Sequence, residues 1–434
     1  MIQLADLIDR LRTSLWFVPA LFAIGAFVAA AATLTIDREI ESDASSFFLF
    51  GGTAEAAHSV LSTIAQSMLT FTGLVFTITM LVLQQAATQL SPRVIRTFLR
   101  DVQNQVVLGL FVATFLYTLL VLRDVRSDDA GEEFVPSLAI WIAFLLLVAS
   151  VGAFIYYINH MAHAIRATTV LDNIAAETRQ AIDKLYPAEL GLEPEAVPPL
   201  PPPPSGRLLP AASAGILVSV EESGLMELAV EWDAIVELIP RPGDFVPEGS
   251  PLFRIRDWQR LSTEDISRLQ GKANLAGERS FQQDASFGLR QLVDIALRAL
   301  SPGTNDPTTA AQAIDRIHDL LRRLANRSFP SAVRLDESGS PRLILPRPDW
   351  DDHVRLAVVE IRLASGGQIQ VVRRLRGMLE ELMVAAEGQR RQILLEQLQA
   401  LDAAVASDFA IATDCRLAGT ATDHGQSADA RQPD

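Results

Sequence analysis

The chain has 434 residues, 49% of them hydrophobic, with a formal charge of −15. That charge argues against a nucleic-acid partner, whose phosphates need a basic surface. The single cysteine, Cys415, excludes an internal disulfide framework and a cysteine-based zinc site.

A chain of this length is expected to form two or three units, and its apolar residues crowd before His160. Four runs there, Trp16–Ile36, Ser59–Leu83, Val106–Leu122 and Ser137–Ile158, are each long enough to cross roughly 30 Å of hydrocarbon at about 1.5 Å per residue. The first follows Asp6, Asp9, Arg10 and Arg12 and is longer than the apolar core of a signal peptide, so it reads as an uncleaved span. Arg10 and Arg12 precede span one, Arg93, Arg96 and Arg100 lie between spans two and three, and Arg166 and Arg179 follow span four. The other two loops are acidic, with Asp37, Glu39, Glu41, Asp43 and Glu55 in one and Asp124, Asp128, Asp129, Glu132 and Glu133 in the other. The positive-inside rule then predicts cytoplasmic termini, with Arg38, Arg123 and Arg126 as minority votes.

Span two carries a stripe. Ser59, Thr63, Gln66, Thr70, Gly73 and Thr77 recur at alternating spacings of four and three, which places them on one helical face. Lipid offers no hydrogen bonds, so such a face must meet protein or water. It reads either as a packing seam, with the hydroxyls bonded to their own backbone, or as a permeation face. No Asp, Glu, Lys or Arg falls inside the four runs, which argues against a proton relay. His160 and His163 share a face at the end of span four; with no third ligand beside them, they read as interfacial histidines rather than a metal pair.

Ala164 to Leu185 is expected to continue helically out of span four. The strip from Pro187 through Pro201–Pro204 is a semi-rigid linker. Strands are expected at Gly215–Val220, Ala234–Ile239 and Pro251–Ile255, with a helix over Glu222–Trp232 and a turn at Arg241–Asp244. The pattern is similar to half of a lipoyl-type barrel, but no lysine lies between Gly206 and Arg260, so a covalent cofactor is excluded there. Ser262–Ala276 is expected as helix. In the helix ending at Leu300, Arg290, Asp294 and Arg298 make an ion-pair ladder. Ser301–Thr308 is a turn in which Asp306 serves as N-cap and Pro307 as first helical residue. The oxygen ligands Asp284, Asp294, Asn305 and Asp306 could suit a hard cation, and Ser301, Gly303, Asn305 and Asp306 form either a ligand-binding loop or a structural turn. Asp336–Pro348 is expected as a short hairpin or loop with an edge strand at Arg342–Leu345, followed by helices over Asp349–Ala364, Gln368–Ala386 and Gly388–Val405.

Several strings together resemble a known family. They are Gln89-Leu90-Ser91-Pro92-Arg93 with Gln105 and Leu108-Gly109, then Pro242-Gly243-Asp244-Phe245-Val246, then Gln283-Asp284, Phe287-Gly288, Leu292 to Ala296, Arg298 to Gly303 and Asn305-Asp306-Pro307. They resemble the bacterial membrane proteins grouped as domain of unknown function 2254. The resemblance implies a membrane architecture and no chemistry. The fold class expected is an α-helical membrane protein with four transmembrane helices, a small cytoplasmic α/β module and a C-terminal helical cytoplasmic domain. The divisions expected are 1–186 for the spans and their extension, 187–210 for the linker, 211–260 for the β-rich module, 261–415 for the helical domain and 416–434 for a disordered tail. The expected role is an oligomeric channel or transporter-like protein of the bacterial inner membrane, or else a membrane-anchored scaffold or sensor binding near Ser301–Thr308. No cofactor, metal or catalytic residue is expected. The partners are the bilayer and further copies of the chain.

Overall fold

The computed structural model describes residues 16–40, 53–89, 102–126, 134–164, 166–186, 206–256 and 262–421. The basic loop around Arg93–Arg100, the proline strip and the end of the tail lie outside them. The described residues divide into two units, Met1–Thr169 and Val170–Asp434.

The first unit holds four helices long and apolar enough to cross a membrane: α1 (Phe17–Ile40), α2 (Ala54–Gln89), α3 (Val102–Asp124) and α4 (Ser137–Ala164). Helix α3 is the centre of the bundle. Half of its apolar stretch is buried, whereas the other three expose most of theirs, as lipid-facing helices do. Its residues Ala113, Tyr117 and Val121 meet Ala26 and Ala30 of α1, Leu61, Ile64 and Met68 of α2, and Ala139 and Ala143 of α4. Small residues allow this approach: a Cβ on Gly109 would stand 2.9 Å from the Phe22 ring.

The helices overrun the expected spans, so α1 carries Asp37, Arg38 and Glu39 in its last turns. Asp37 is buried, and its carboxylate accepts from the Leu138 and Ala139 amides, both at 2.9 Å. It thus caps the start of α4 from another helix, where four backbone N–H groups would otherwise lack partners. Arg38 pairs with Asp124 at 2.5 Å beside it. Asp37→Ala is expected to cost about 2 kcal/mol, because two amides lose a charged acceptor. The shift of the unfolding midpoint in nanodiscs measures it.

Helix α4 does not run on as expected. A new helix, α5 (Ala167–Leu185), begins after a short break and belongs to the second unit from Val170 onward. Its buried stripe is Val170, Leu171, Ile174, Ala175, Thr178, Ala181 and Ile182, the recurrence of an amphipathic helix. Ion pairs fasten its other flank to α9 (Pro307–Ala325). Asp172 meets Arg316 at 2.6 Å, Arg179 meets Asp319 at 2.8 Å, and Asp183 meets Arg323 at 2.7 Å and Arg327 at 2.5 Å.

The second unit has two sheets and a helical layer. The strands are β1 (Arg207–Pro210), β2 (Gly215–Val220), β3 (Ile235–Leu238), β4 (Phe245–Val246), β5 (Pro251–Arg256), β6 (Ala273–Ala276), β7 (Val333–Leu335) and β8 (Pro341–Ile344). The larger sheet has the order β1-β5-β3-β8-β7 and the smaller one β4-β2-β6. All pairs are antiparallel except β3 with β8, where Val236 faces Leu343. Helix α6 (Glu222–Glu231) and helix α7 (Thr263–Gln270) close the core through Leu225, Leu228 and Leu269 against Leu217, Val236, Phe253 and Leu343.

The sheets correct three expectations. Residues 207–210, expected as the end of the linker, form β1 and pair with β5. The helix expected over Ser262–Ala276 stops at Gln270, and 273–276 form β6 on β2. The strand near Arg342 is interior, held between β3 and β7. The larger sheet therefore draws strands from both sides of residue 260.

The remaining helices are α8 (Ser286–Leu300), α10 (Trp350–Ala364), α11 (Ile369–Ala385), α12 (Arg390–Asp408) and α13 (Ala412–Ala418). Helices α8 and α9 form a hairpin, with α10 packed on α8, α11 on α9 and α12 across α10 and α11. Leu289, Leu292, Val293 and Ala296 of α8 and Ile314, Ile317, Leu321 and Leu324 of α9 are fully buried. Arg390 donates to the carbonyls of Ala325 at 2.6 Å and Arg327 at 2.8 Å, covering the acceptors that the end of α9 leaves open.

Candidate functional site

Three regions carry the residues singled out in the sequence: the polar face of α2, the Ser301–Thr308 turn and the start of α8. In the first, Ser59, Thr63, Gln66, Thr70, Gly73 and Thr77 do share one face, and within a single chain all six are exposed on the outside of the bundle. The hydroxyls of Thr63, Thr70 and Thr77 donate to the carbonyls of Ser59, Gln66 and Gly73 at 2.7, 3.0 and 2.8 Å. Gly73 has no atom within 4 Å of where a Cβ would stand.

The hydroxyls that the bundle buries are different ones. Thr114 and Ser150 lie 3.1 Å apart between α3 and α4. The Thr79 and Tyr157 hydroxyls are 2.7 Å apart, and those of Thr33 and Tyr117 are 3.0 Å apart. Sequence reasoning passed over these pairs because they fall at no recurring helical spacing and each joins two different helices. His160 stacks on Tyr156 with ring centroids 5.9 Å apart, and His163 Nδ1 lies 2.8 Å from the Asn159 carbonyl. Among the described residues no group of three or more His, Cys, Asp or Glu side chains is placed to hold a metal ion.

The Ser301–Thr308 turn is closed by its own groups. The Asp306 amide donates to the Ala299 carbonyl at 2.8 Å and the Asn305 amide to the Ser301 carbonyl at 2.9 Å. Ser301 Oγ donates to the Arg298 carbonyl at 2.7 Å. Asp306 accepts from the Thr309 amide at 3.0 Å and from the Thr309 hydroxyl at 2.5 Å, which caps α9. The Thr309 hydroxyl, and then the amides at the helix start, hold the Asp306 carboxyl below the ordinary carboxylate value. Asn305 adopts φ +45°, a left-handed conformation that asparagine tolerates, and its Oδ1 accepts from Gln368 Nε2 at 3.1 Å. Gly303 is exposed, with open space where a Cβ would stand.

The four oxygen-bearing residues do not converge. Asp284 and Asp306 stand at opposite ends of α8, whose 15 residues make it about 22 Å long. Asp294, midway, pairs with Arg290 at 2.6 Å, and Arg290 reaches Glu360 of α10 at 2.5 Å.

At the start of α8 two motif strings far apart in the chain meet. The Gln283 side chain accepts from the Val220 amide and donates to the Val220 carbonyl, both at 2.9 Å, so it extends the pairing of β2. Asp284 is buried. It accepts from Arg279 Nη2 at 2.6 Å and Nε at 2.9 Å, and from the Phe287 amide at 3.1 Å. Burial pushes the Asp284 carboxyl above its ordinary value against the pull of Arg279 and the Phe287 amide. Gly243, at φ +97°, fits against this pair. A Cβ there would lie 2.5 Å from the Asp284 carboxylate, so only glycine permits both the conformation and the approach. One turn further, a Cβ on Gly288 would lie 1.8 Å from Thr178 Oγ1 of α5 and 2.9 Å from the Phe281 ring. The junction is filled and charge-paired. Chemically it can hold β2, the 241–244 turn, α5 and α8 in one arrangement.

Comparison with known proteins agrees with the four apolar helices of a membrane protein. A family model described as predicted membrane protein, DUF2254, matches residues 12–381. An uncharacterized protein of Mycobacterium bovis is 34% identical over 362 residues, covering 82% of this chain and 69% of the relative. An uncharacterized protein of Mycobacterium tuberculosis strain H37Rv matches with the same identity and coverage. No solved structure matches.

Proposed function

The chain belongs to the DUF2254 family of predicted membrane proteins, and on that premise we propose that it is a homo-oligomeric, channel-like protein of the bacterial inner membrane. In this reading the polar face of α2 lies at the contact between copies, both termini are cytoplasmic, and the second unit is a cytoplasmic regulatory or assembly domain. One observation carries the reading: the six seam residues lie exposed on the outside of the single-chain bundle. Hydrocarbon cannot hydrogen-bond the Gln66 amide. A second copy brings the same amide, which both donates and accepts and is therefore its own complement. The open space at Gly73 allows two backbones to approach closely. The threonine protons are turned to helix carbonyls, so oxygen lone pairs face outward. Between several copies these would line a neutral path suited to water or cations rather than anions.

Single cysteines test the arrangement, because Cys415 is the one native thiol. In a Cys415→Ser background, Thr70→Cys and Thr77→Cys are expected to cross-link between copies in native membranes. Leu21→Cys and Leu145→Cys, on other exposed faces of the bundle, are expected to stay monomeric. Cross-linking from all four positions alike, or from neither seam position, overturns the interface. Gln66→Leu is expected to weaken association by about 1 kcal/mol and to lower water or cation flux into liposomes. Seam cross-links with no flux under any condition would show an oligomer without a conduit.

A further inference from the structure

The residue that the sequence left unremarked is His353, and it sits where three helices meet. It is completely buried in the first turn of α10. Its Nδ1 lies 2.5 Å from the Asp349 carbonyl, which can only accept, so the proton is on Nδ1. Nε2 is then an acceptor. The Ser286 hydroxyl, in the first turn of α8, donates to it at 3.2 Å, and the Tyr186 hydroxyl lies 3.5 Å away. Tyr186 follows the last residue of α5. Its ring packs on Phe329 with centroids 4.9 Å apart and edge-on against His353 at 5.7 Å, and the Arg390 guanidinium stands over the Phe329 ring at 5.0 Å.

We propose that His353, Ser286 and Tyr186 form an acid-sensitive latch, which fastens the C-terminal end of α5 to the helical layer and releases it on proton uptake. Helix α5 is the segment that follows the fourth span in the chain, so the latch controls the first helix after the membrane. Proton uptake at Nε2 turns an acceptor into a donor. The Ser286 hydroxyl that now points its proton inward must turn round, inside a packed site that also holds the Tyr186 hydroxyl. The charged groups around the ring do not supply a ready counter-ion. Asp349 and Asp352 are committed to each other's amides in the capping box of α10, and Asp352 also holds Arg241 at 2.7 Å. Asp284 is neutralised by Arg279. Arg241, Arg347 and Arg390 are cationic. The amides of a helix start present positive potential as well. Burial accordingly holds the His353 imidazole below its ordinary value of 6.5, and it holds the Tyr186 phenol well above its own, so the phenol stays protonated.

The direction with pH follows. A histidine kept neutral by the fold contributes its full stability above its unfolded value near 6.5, and that contribution is lost as pH falls below it towards the depressed folded value. The test is hydrogen exchange of Ala181–Tyr186 in the full-length protein in nanodiscs, from pH 7.5 to 5, corrected for the intrinsic pH dependence of exchange. Protection in the wild type is expected to be level above about pH 6.5 and to fall below it by up to about tenfold per pH unit, the slope of one linked proton. In His353→Gln the slope should vanish. Because His353 is wholly buried, Ser286→Ala is the second variant. It keeps the imidazole and removes the hydroxyl that donates to Nε2, so the folded value should rise and the fall, which still begins near pH 6.5, should be smaller and level off at higher pH. Level protection in the wild type, an unchanged slope in His353→Gln, or a fall of unchanged size and extent in Ser286→Ala overturns the latch.

Discussion

Asp284→Ala is expected to destabilise the second unit by about 3–5 kcal/mol, the cost of removing one partner of a buried ion pair. The carboxylate is almost wholly buried, accepts from Nε and Nη2 of Arg279, and accepts from the Phe287 amide at the start of α8. Its loss leaves a guanidinium half inside the protein without its anion and a helix start without its acceptor. Asp284→Asn keeps the shape and one acceptor, so it should lose less. Since whole domains are stable by only about 5–15 kcal/mol, the alanine variant should show much lower yield and early loss of near-ultraviolet dichroism. A ligand-binding carboxylate would behave otherwise: the fold would persist and only the ligand would be lost. The urea midpoint of the second unit in the full-length protein separates the two outcomes.

Gly288→Ala is the second large effect. One methyl group would be driven to 1.8 Å from Thr178 Oγ1 and 2.9 Å from the Phe281 ring. Overpacking of this kind costs about 1–3 kcal/mol and occasionally more, although alanine in a helix otherwise gains up to about 1 kcal/mol over glycine. Thr178 is fully buried and its hydroxyl already donates to the Ile174 carbonyl at 2.6 Å, so it cannot turn aside. The expected result is that α5 lifts from α8, seen as new proteolytic cleavage within Ala167–Leu185. Adding Thr178→Ala removes the nearest atom and should recover part of the loss. Such non-additivity marks two residues in contact.

The parts of this fold that can be read in the chain are those set by local pattern. The four spans follow from apolar length, and Asp306 with Pro307 follows from helix-start chemistry that acts within four residues. Asp349 opens α10 by the same rule, with its capping box to Asp352. The α2 stripe is legible as a face because its spacing is helical, but spacing carries no record of whether a face turns inward or outward. The errors share a cause in non-local pairing. Residues 273–276 sit in a stretch with helical pattern, yet β2 offers them open backbone partners and they form β6. Arg342 looks like part of an edge hairpin until β3 closes on its other side. The same holds for the Asp284 junction: Arg279 and Gly243 are ordinary residues in their own segments, and only the fold makes one a counter-ion and the other the sole residue that fits. His353 has no local signature at all.

The parallel pairing of β3 with β8 has a consequence for how the protein is made. Its two halves, at Val236–Glu237 and Leu343–Ile344, are separated by roughly a hundred residues, and translation proceeds at about 5–20 residues per second. The inner edge of β3 therefore stands unpaired on the ribosome for on the order of ten seconds. During that time β1 and β5 can assemble beside it, but the sheet cannot be completed. A newly made chain thus passes through a state with an open strand edge after its four spans have been made and before its last strands are. That edge is what a chaperone working at the membrane surface would have to shield.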